Sequence, residues 1–193
     1  MRCHRMKFSK KTFLNLLLIL FVLSFFVTPL GYQGKLLLNR IFSQAPKTIA
    51  KAERELLPDY DWRLKDANWD FFSFEQSKGR VAIVVFWASW KLPACEAEIT
   101  SIEKLYRDYK GKVDFYLITN EERPPVEEFV ARHEITAPIT YLIIGDKSPL
   151  EVLEPPSSYV IGKNGEVVAK MDGISDWNSG KTRDLLDELL LNP

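Results

Sequence analysis

The first pattern of hydrophobic and polar positions is one long apolar run near the N-terminus. Phe13–Leu30, FLNLLLILFVLSFFVTPL, carries no charged side chain. As a helix rising 1.5 Å per residue the run would be about 27 Å long, close to the ~30 Å hydrocarbon core of a bilayer. It predicts a transmembrane anchor, with a cleaved signal peptide and a buried core helix as alternatives. No A-x-A cleavage pattern and no lipobox cysteine follow the run, which favours the uncleaved anchor.

After a connector over residues 31–59, the pattern becomes that of an α/β domain over residues 60–193. The continuous apolar runs at Arg80–Ala88 and Val113–Thr119 are typical of strands buried on both faces. The other predicted elements are a hairpin of Asp61–Leu64 and Asp70–Phe74, helices at Ala94–Tyr109, Pro124–His133 and Lys181–Leu190, an apolar run at 139–144, and a hairpin around the Asn164-Gly165 turn. This order predicts a parallel βαβ unit followed by an antiparallel pair and a closing helix.

Charge is unevenly distributed around the apolar run. Five Lys and Arg residues precede it, and the first acidic residue is Glu53. From Glu53 onward there are 17 Lys and Arg against 26 Asp and Glu. Because basic flanks stay in the cytoplasm, we expect residues 1–12 to form a cytoplasmic tail. Residues 13–30 would then span the inner membrane as a single pass, with the domain facing the periplasm or outside. An acidic domain without a basic stripe also makes nucleic acid an unexpected partner.

The chain has two cysteines, and the predicted anchor divides them. Cys3 falls in the tail and Cys95 in the exported domain, so the two cannot pair and Cys95 is an odd thiol. Cys95, Ile99 and Ile102 share one apolar helical face, which predicts a buried thiol with a raised pKa. The alternative is single-thiol chemistry, because Cys95 lies in a first helical turn and Lys91 can stabilise a thiolate. Two cysteines and two histidines divided in this way make no metal site, and we expect no cofactor.

Three stretches of the domain resemble one known family. VVFWASW…PACEAEI, PPSSYVIGKNGEVV and GISDWNSGK are similar to the TlpA/ResA group of membrane-anchored thiol–disulfide oxidoreductases. The resemblance runs from about Tyr60 to the end of the chain. It implies a thioredoxin-like fold, in which a central mixed sheet with an N-terminal β-hairpin is flanked by helices, behind one transmembrane helix.

The active-site loop departs from the W-C-x-P-C motif of that group. Trp90 and Pro93 match the motif, and Cys95 matches its second cysteine if one loop residue is inserted. A register without the insertion would lose both thiols. With the insertion, Lys91 stands where the attacking cysteine belongs. Disulfide exchange needs an attacking thiolate and a resolving thiol, so the CxxC motif is incomplete and enzymatic activity stays open.

The resemblance also implies roles for a carboxylate and a proline. Glu98 matches a helix carboxylate that moves protons near the thiols; its alternative is a partly exposed helix glutamate. Pro156 matches a cis proline that faces the loop; its alternative is an ordinary proline that begins a strand. Trp87 has the alternative of a core position. The predicted groove for a bound peptide is lined by Trp87, Trp90, Lys91, Leu92, Pro93 and Pro156.

Two functions follow from these observations. The first is a binding protein, in which a thioredoxin scaffold without dithiol turnover holds exported or membrane polypeptides. The second is a redox protein that uses Cys95 as a single thiol in exchange with a partner's reactive thiol. The exposure and the titration of Cys95 separate the two.

Overall fold

The computed structural model describes residues 10–42 and 44–191; residues 1–9 of the predicted tail, with Cys3, lie outside them, and its residues 10–12 begin the first helix. The elements follow the predicted order. The helices are α1 Lys10–Val27, α2 Pro29–Phe42, α3 Ala94–Tyr109, α4 Arg123–His133 and α5 Gly180–Leu191. The strands are β1 Arg63–Lys65, β2 Phe71–Ser73, β3 Ala82–Phe86, β4 Asp114–Thr119, β5 Ile139–Leu142, β6 Ser157–Ile161 and β7 Val167–Asp172.

These strands form one mixed sheet in the order β2-β1-β5-β4-β3-β6-β7. Strands β3, β4 and β5 run parallel, and the β6–β7 hairpin and the β1–β2 hairpin join antiparallel on either side. The parallel βαβ unit, the antiparallel pair and the N-terminal hairpin are therefore confirmed. Because β3, β4 and β5 are parallel, their carboxyl ends meet at one edge of the sheet, and this edge carries the candidate site.

The central strand β3 is buried on both faces, as its unbroken apolar sequence predicts. Ile83 and Val85 belong to a core cluster that packs α3, α4 and α5 on the sheet. Val84 and Phe86 belong to a second cluster, with residues of the β1–β2 hairpin and of the segment before it. Successive strand residues point to opposite faces, so one five-residue strand contributes to both cores and holds the loop after it in place.

The N-terminal apolar segment is helical but ends earlier than predicted. α1 stops at Val27 and α2 begins at Pro29. Proline has no N–H to continue a helix and disfavours the helical conformation in the residue before it, which explains the break at Thr28. Within residues 10–42 and 44–191, none of the helices is both long enough and apolar enough to cross a membrane.

The segment predicted as a connector is more ordered than its composition indicates. The chain after α2 runs along the outer edge of β7, where the N–H of Ile49 donates to the carbonyl of Val168 (2.7 Å) and the N–H of Val167 donates to the carbonyl of Glu55 (2.8 Å). An open sheet edge invites pairing with another chain. The connector therefore protects this edge and belongs to the folded unit.

Candidate functional site

The site is built where β3 ends and α3 begins, on residues 87–93, which we name the site loop. The N–H of Cys95 donates to the carbonyl of Lys91 (3.0 Å), and the N–H of Ala97 donates to the carbonyl of Pro93 (3.1 Å). Helical hydrogen bonding thus begins at Lys91, although regular helix begins at Ala94. Lys91 occupies the N-terminal end of α3, one turn before Cys95. This is the place that the resemblance assigns to an attacking thiol.

Cys95 points inward, as its helical face predicts. The residue is 0 % exposed and packs in the core cluster under α3. Burial raises the pKa of its thiol to about 12, and this outweighs the N–H of Ala88, which donates to Sγ (3.5 Å), and the nearby Lys91 cation. A thiol in this state is a poor nucleophile at neutral pH, because only the thiolate attacks.

Glu98 is buried, which corrects the expectation of a partly exposed glutamate. Its carboxylate accepts the backbone N–H of Ser175 (2.6 Å) and the indole N–H of Trp177 (2.7 Å). Burial raises the pKa of Glu98 to about 8 although both hydrogen bonds favour the charged form. The segment that covers Glu98 lies far along the chain, so the helical pattern of α3 could not reveal its burial. The carboxylate fastens the loop after β7 to α3.

The tip of the site loop, Ser89–Leu92, faces solvent. Trp90 is 65 % exposed and Leu92 is 42 % exposed, while Pro93 is half-buried behind a cis Leu92–Pro93 bond. The ammonium of Lys91 forms an ion pair with Glu154 and lies 5.7 Å from the centroid of the Trp90 ring. A cation at a helix N-terminus is unfavourable, and Glu154 offsets that cost. The tip therefore presents apolar contact surface beside a paired charge.

Two predicted groove residues are buried. Trp87 lies in the core with its ring 5.1 Å from Phe129, so the structure shows the core alternative for this residue. The Pro155–Pro156 bond is cis, as the resemblance implies, but Pro156 is buried. Ser157 pairs with Phe86 in the sheet, so Pro156 does lie beside the site loop. Trp90, Lys91 and Leu92 form the accessible part of the site.

Sequence reasoning did not find Glu121, which organises the site loop. Its carboxylate accepts the N–H of Ser89 (2.6 Å), the hydroxyl of Ser89 (2.7 Å) and the hydroxyl of Thr119 (3.2 Å). Glu121 follows β4, the parallel neighbour of β3, so its position could have been inferred from the shared carboxyl edge of the two strands. It holds the loop that presents Trp90.

The thioredoxin-like fold agrees with the comparison to known proteins. The sequence model described as Redoxin matches residues 52–189. The chain belongs to the Redoxin family. The thioredoxin-like protein YneN of Bacillus subtilis is 27% identical over 163 residues, which cover 82% of this chain and 87% of that protein. The thiol-disulfide oxidoreductase ResA of Halalkalibacterium halodurans is 26% identical over 151 residues, which cover 76% of this chain and 79% of that protein.

Solved structures agree on the architecture of this Redoxin-family domain. A thiol:disulfide interchange protein of the thioredoxin family from Chlorobium tepidum superposes with a TM-score of 0.55 at 22% identity, covering 70% of this chain and 97% of that one. At this identity the likeness shows the fold alone. The resemblance to thiol–disulfide oxidoreductases is thus confirmed for the family and the thioredoxin-like fold.

Proposed function

We propose that this chain is a membrane-anchored, extracytoplasmic thioredoxin-like protein that binds polypeptide partners without dithiol turnover. One observation carries the proposal: the residue at the N-terminal end of α3 is Lys91, while Cys95 is 0 % exposed behind it. Lysine can neither attack a disulfide nor be oxidised to one. The site therefore lacks the pair of thiols that a dithiol cycle needs.

The tip of the site loop supports binding. Trp90 and Leu92 are exposed apolar side chains on a loop that Glu121 holds in place. Tryptophan is among the residues that most often dominate protein interfaces. A cavity of about 110 Å³ lies at the same edge of the sheet, between the ends of β3 and β4 and residues 152–155. Together they offer an aromatic anchor and a recess of side-chain size to an extended polypeptide.

The N-terminal segment supports anchoring. Its large apolar side chains from Phe13 to Leu23 are exposed, and none of the described residues covers them. Monomeric soluble proteins rarely expose so large an apolar surface. Five basic residues precede the segment, which favours a cytoplasmic N-terminus and a domain outside the inner membrane. We therefore place the partners among exported or membrane polypeptides.

A crosslinking pull-down with the full-length chain in its own membranes tests the proposal. Trp90→Ala should weaken partner capture at least about tenfold, because truncating an interface tryptophan commonly costs ~2 kcal/mol. Cys95→Ala should leave capture nearly unchanged, because the thiol is buried. The matched control is Trp69→Ala, which removes the other exposed tryptophan at the β1–β2 turn.

The opposite pattern would favour the second function. If Cys95→Ala abolishes capture and Trp90→Ala does not, partners are held through a mixed disulfide and the binding proposal fails. Single-thiol exchange at Cys95 would then be the activity of the site.

A further inference from the structure

The helix α2, which lies between the apolar segment and the domain, packs against α3, the helix that follows the site loop. The Tyr32 hydroxyl of α2 donates to the carboxylate of Glu96, which directly follows Cys95 in α3. Leu36, one turn further along α2, is buried. Glu96 also lies near His133 of α4, whose Nδ1 is 3.8 Å from the carboxylate and whose ring is tilted by 37° against Phe129, with 4.3 Å between the ring centroids. α2 therefore packs on the first turn of the site helix and is not a free tether.

A second joint lies just after α2. The N–H of Asp176 donates to the carbonyl of Gln44 (2.8 Å), and Gln44 pairs with Ser175. Ser175 in turn donates its N–H to Glu98. Two glutamates in the first turn of α3 thus hold α2 at both ends: Glu96 binds Tyr32 directly, and Glu98 binds Ser175, which pairs with Gln44 just after α2. Two joints fix the direction of α2 relative to the site.

α2 also carries two exposed apolar side chains. Three consecutive leucines divide between the two faces: Leu36 is buried toward the domain, whereas Leu37 is 57 % exposed and Leu38 is 44 % exposed. None of the described residues covers these two side chains. α1, whose large apolar side chains from Phe13 to Leu23 are exposed, ends at Val27, and α2 begins at Pro29. Because α2 directly follows the predicted anchor along the chain, lipid is the phase that we expect Leu37 and Leu38 to meet.

The joint at Tyr32 also limits the distance between the site and the end of α1. Tyr32 lies five positions after Val27, roughly 7.5 Å of helix. Its hydroxyl reaches Glu96, and Glu96 lies five positions after Lys91. Adding a tyrosine side chain, a hydrogen bond, a glutamate side chain, five helical residues and one further residue places Trp90 within roughly 35 Å of the end of α1. Trp69, at the turn between β1 and β2, is at the opposite edge of the sheet from the site loop.

We propose that α2 seats the domain directly on the bilayer surface through Leu37 and Leu38, with the site loop beside the lipid headgroups. The inference rests on the membrane anchoring in the proposed function and adds the class of partner. A site held at the headgroup level meets the surface-exposed segments of membrane polypeptides before any polypeptide in the bulk solution. The Tyr32–Glu96 joint transmits the position of the anchor to the site.

The test places a spin label at either of the two exposed tryptophans. The full-length chain, with Cys3→Ser and Cys95→Ala, carries one nitroxide through Trp90→Cys or Trp69→Cys. Each form is reconstituted into phosphatidylcholine–phosphatidylglycerol vesicles that contain a nickel-chelating lipid, and relaxation enhancement by the headgroup nickel is measured. The label at position 90 should show an enhancement several-fold larger than the label at position 69.

Variants of the exposed face sharpen the test. Leu37→Ser with Leu38→Ser should lower the enhancement at position 90 to the level at position 69. The matched control Leu56→Ser, which alters an exposed leucine of the connector, should leave it unchanged. Near-ultraviolet circular dichroism confirms that each variant is folded, since all three leucines are exposed.

The outcomes distinguish this inference from the proposed function. Equal enhancement at positions 90 and 69, or no response to the Leu37 and Leu38 substitutions, overturns the seating by α2. A chain that fails to float with vesicles overturns the anchoring as well. If the seating holds but Trp90→Ala leaves capture unchanged, polypeptide binding at the tip fails while the position of α2 stands.

Discussion

Two neighbouring parts of the site differ in what they present to solvent. The tip, Ser89–Leu92, exposes an indole, a lysine and a leucine. The first turn of α3, Cys95–Glu98, buries the thiol and two carboxylates. The thiol and the two carboxyl groups of α3 are thus withdrawn from the surface, whereas the indole, the lysine ammonium and the leucine are presented to solvent. A binding surface needs the tip, and an oxidoreductase would need the first turn to be reachable.

The difference divides the site into an exposed contact surface and a buried set of titratable groups. Glu121 orders the tip and Glu98 orders the loop behind the first turn, so each carboxylate acts on backbone and side-chain donors of the protein itself. Both carboxyl groups thus act as structural joints within the domain. The following predictions test this division, from the largest expected effect to the smallest.

Moving the thiol from the first turn to the tip should change its reactivity most. In a Cys3→Ser chain, Cys95 should react with a disulfide reagent at least about 100-fold more slowly when folded than in denaturant, because the thiol is shielded from the reagent and burial raises its pKa to about 12. In a chain whose single thiol is introduced by Lys91→Cys, with Cys95→Ala, the folded rate should approach the unfolded one. Equal reaction rates for the two folded chains would contradict the difference in exposure between the tip and the first turn of α3.

Stability should depend on pH through Glu98. Its pKa is raised from 4.5 to about 8 in the fold, so between these values the folded chain keeps a proton that the unfolded chain has lost. The stability that Glu98 contributes is therefore fully present below pH 4.5 and is lost as pH rises toward 8. The free energy of unfolding should fall by at most about 1.4 kcal/mol per pH unit over this range. Chemical denaturation of the full-length chain in detergent between pH 5 and 8 measures it.

Glu98→Gln is the control for this dependence. The variant cannot ionise, so the decline between pH 5 and 8 should flatten, whatever stability it loses through the mismatched amide. Glu103 provides a contrast of opposite sign, because hydrogen bonds from Thr136 and Ala137 lower the pKa of its carboxyl despite burial. The stability that Glu103 contributes to the fold is lost as pH falls below 4.5. An unchanged slope in Glu98→Gln would show that another group is responsible.

Removing the carboxylate that orders the tip should have an intermediate effect. Glu121→Ala leaves the half-buried N–H of Ser89 without its acceptor, which should cost about 1–3 kcal/mol in the free energy of unfolding. Glu122→Ala is the matched control, because this neighbour is exposed and its side chain does not cap α4. If both variants unfold at the same denaturant concentration, Glu121 does not hold the loop.

The ion pair on the tip should matter least for stability. Glu154 is exposed, and Lys91 lowers the pKa of its carboxyl. Exposed pairs are screened by solvent, so Glu154→Gln should leave the melting temperature unchanged within error. Lys91→Met is the companion variant and should behave likewise. A clear fall in both would mean that the tip is held by this pair and not by Glu121.

The strands, the helices α3, α4 and α5 and the number of thiols in the domain were predictable from sequence because each depends on local order, whereas α2 lies mostly in the segment predicted as a connector. The valine-rich run of β3 indicated a strand buried on both faces, and the apolar spacing along α3 indicated that Cys95 points inward; both are confirmed. The absence of a second nearby cysteine needed no structure at all. The cis bond before Pro156 followed from the family resemblance.

Tertiary structure alone decided the surroundings of those residues. Glu98 is buried because Ser175 and Trp177 arrive from another part of the chain, and Glu121 meets Ser89 because two parallel strands end together. Tyr32 meets Glu96 across 64 positions of sequence. Periodicity reports which way a side chain points along its own element, whereas the segment that covers it is chosen by packing between distant elements. That packing determines which groups of this site solvent can reach.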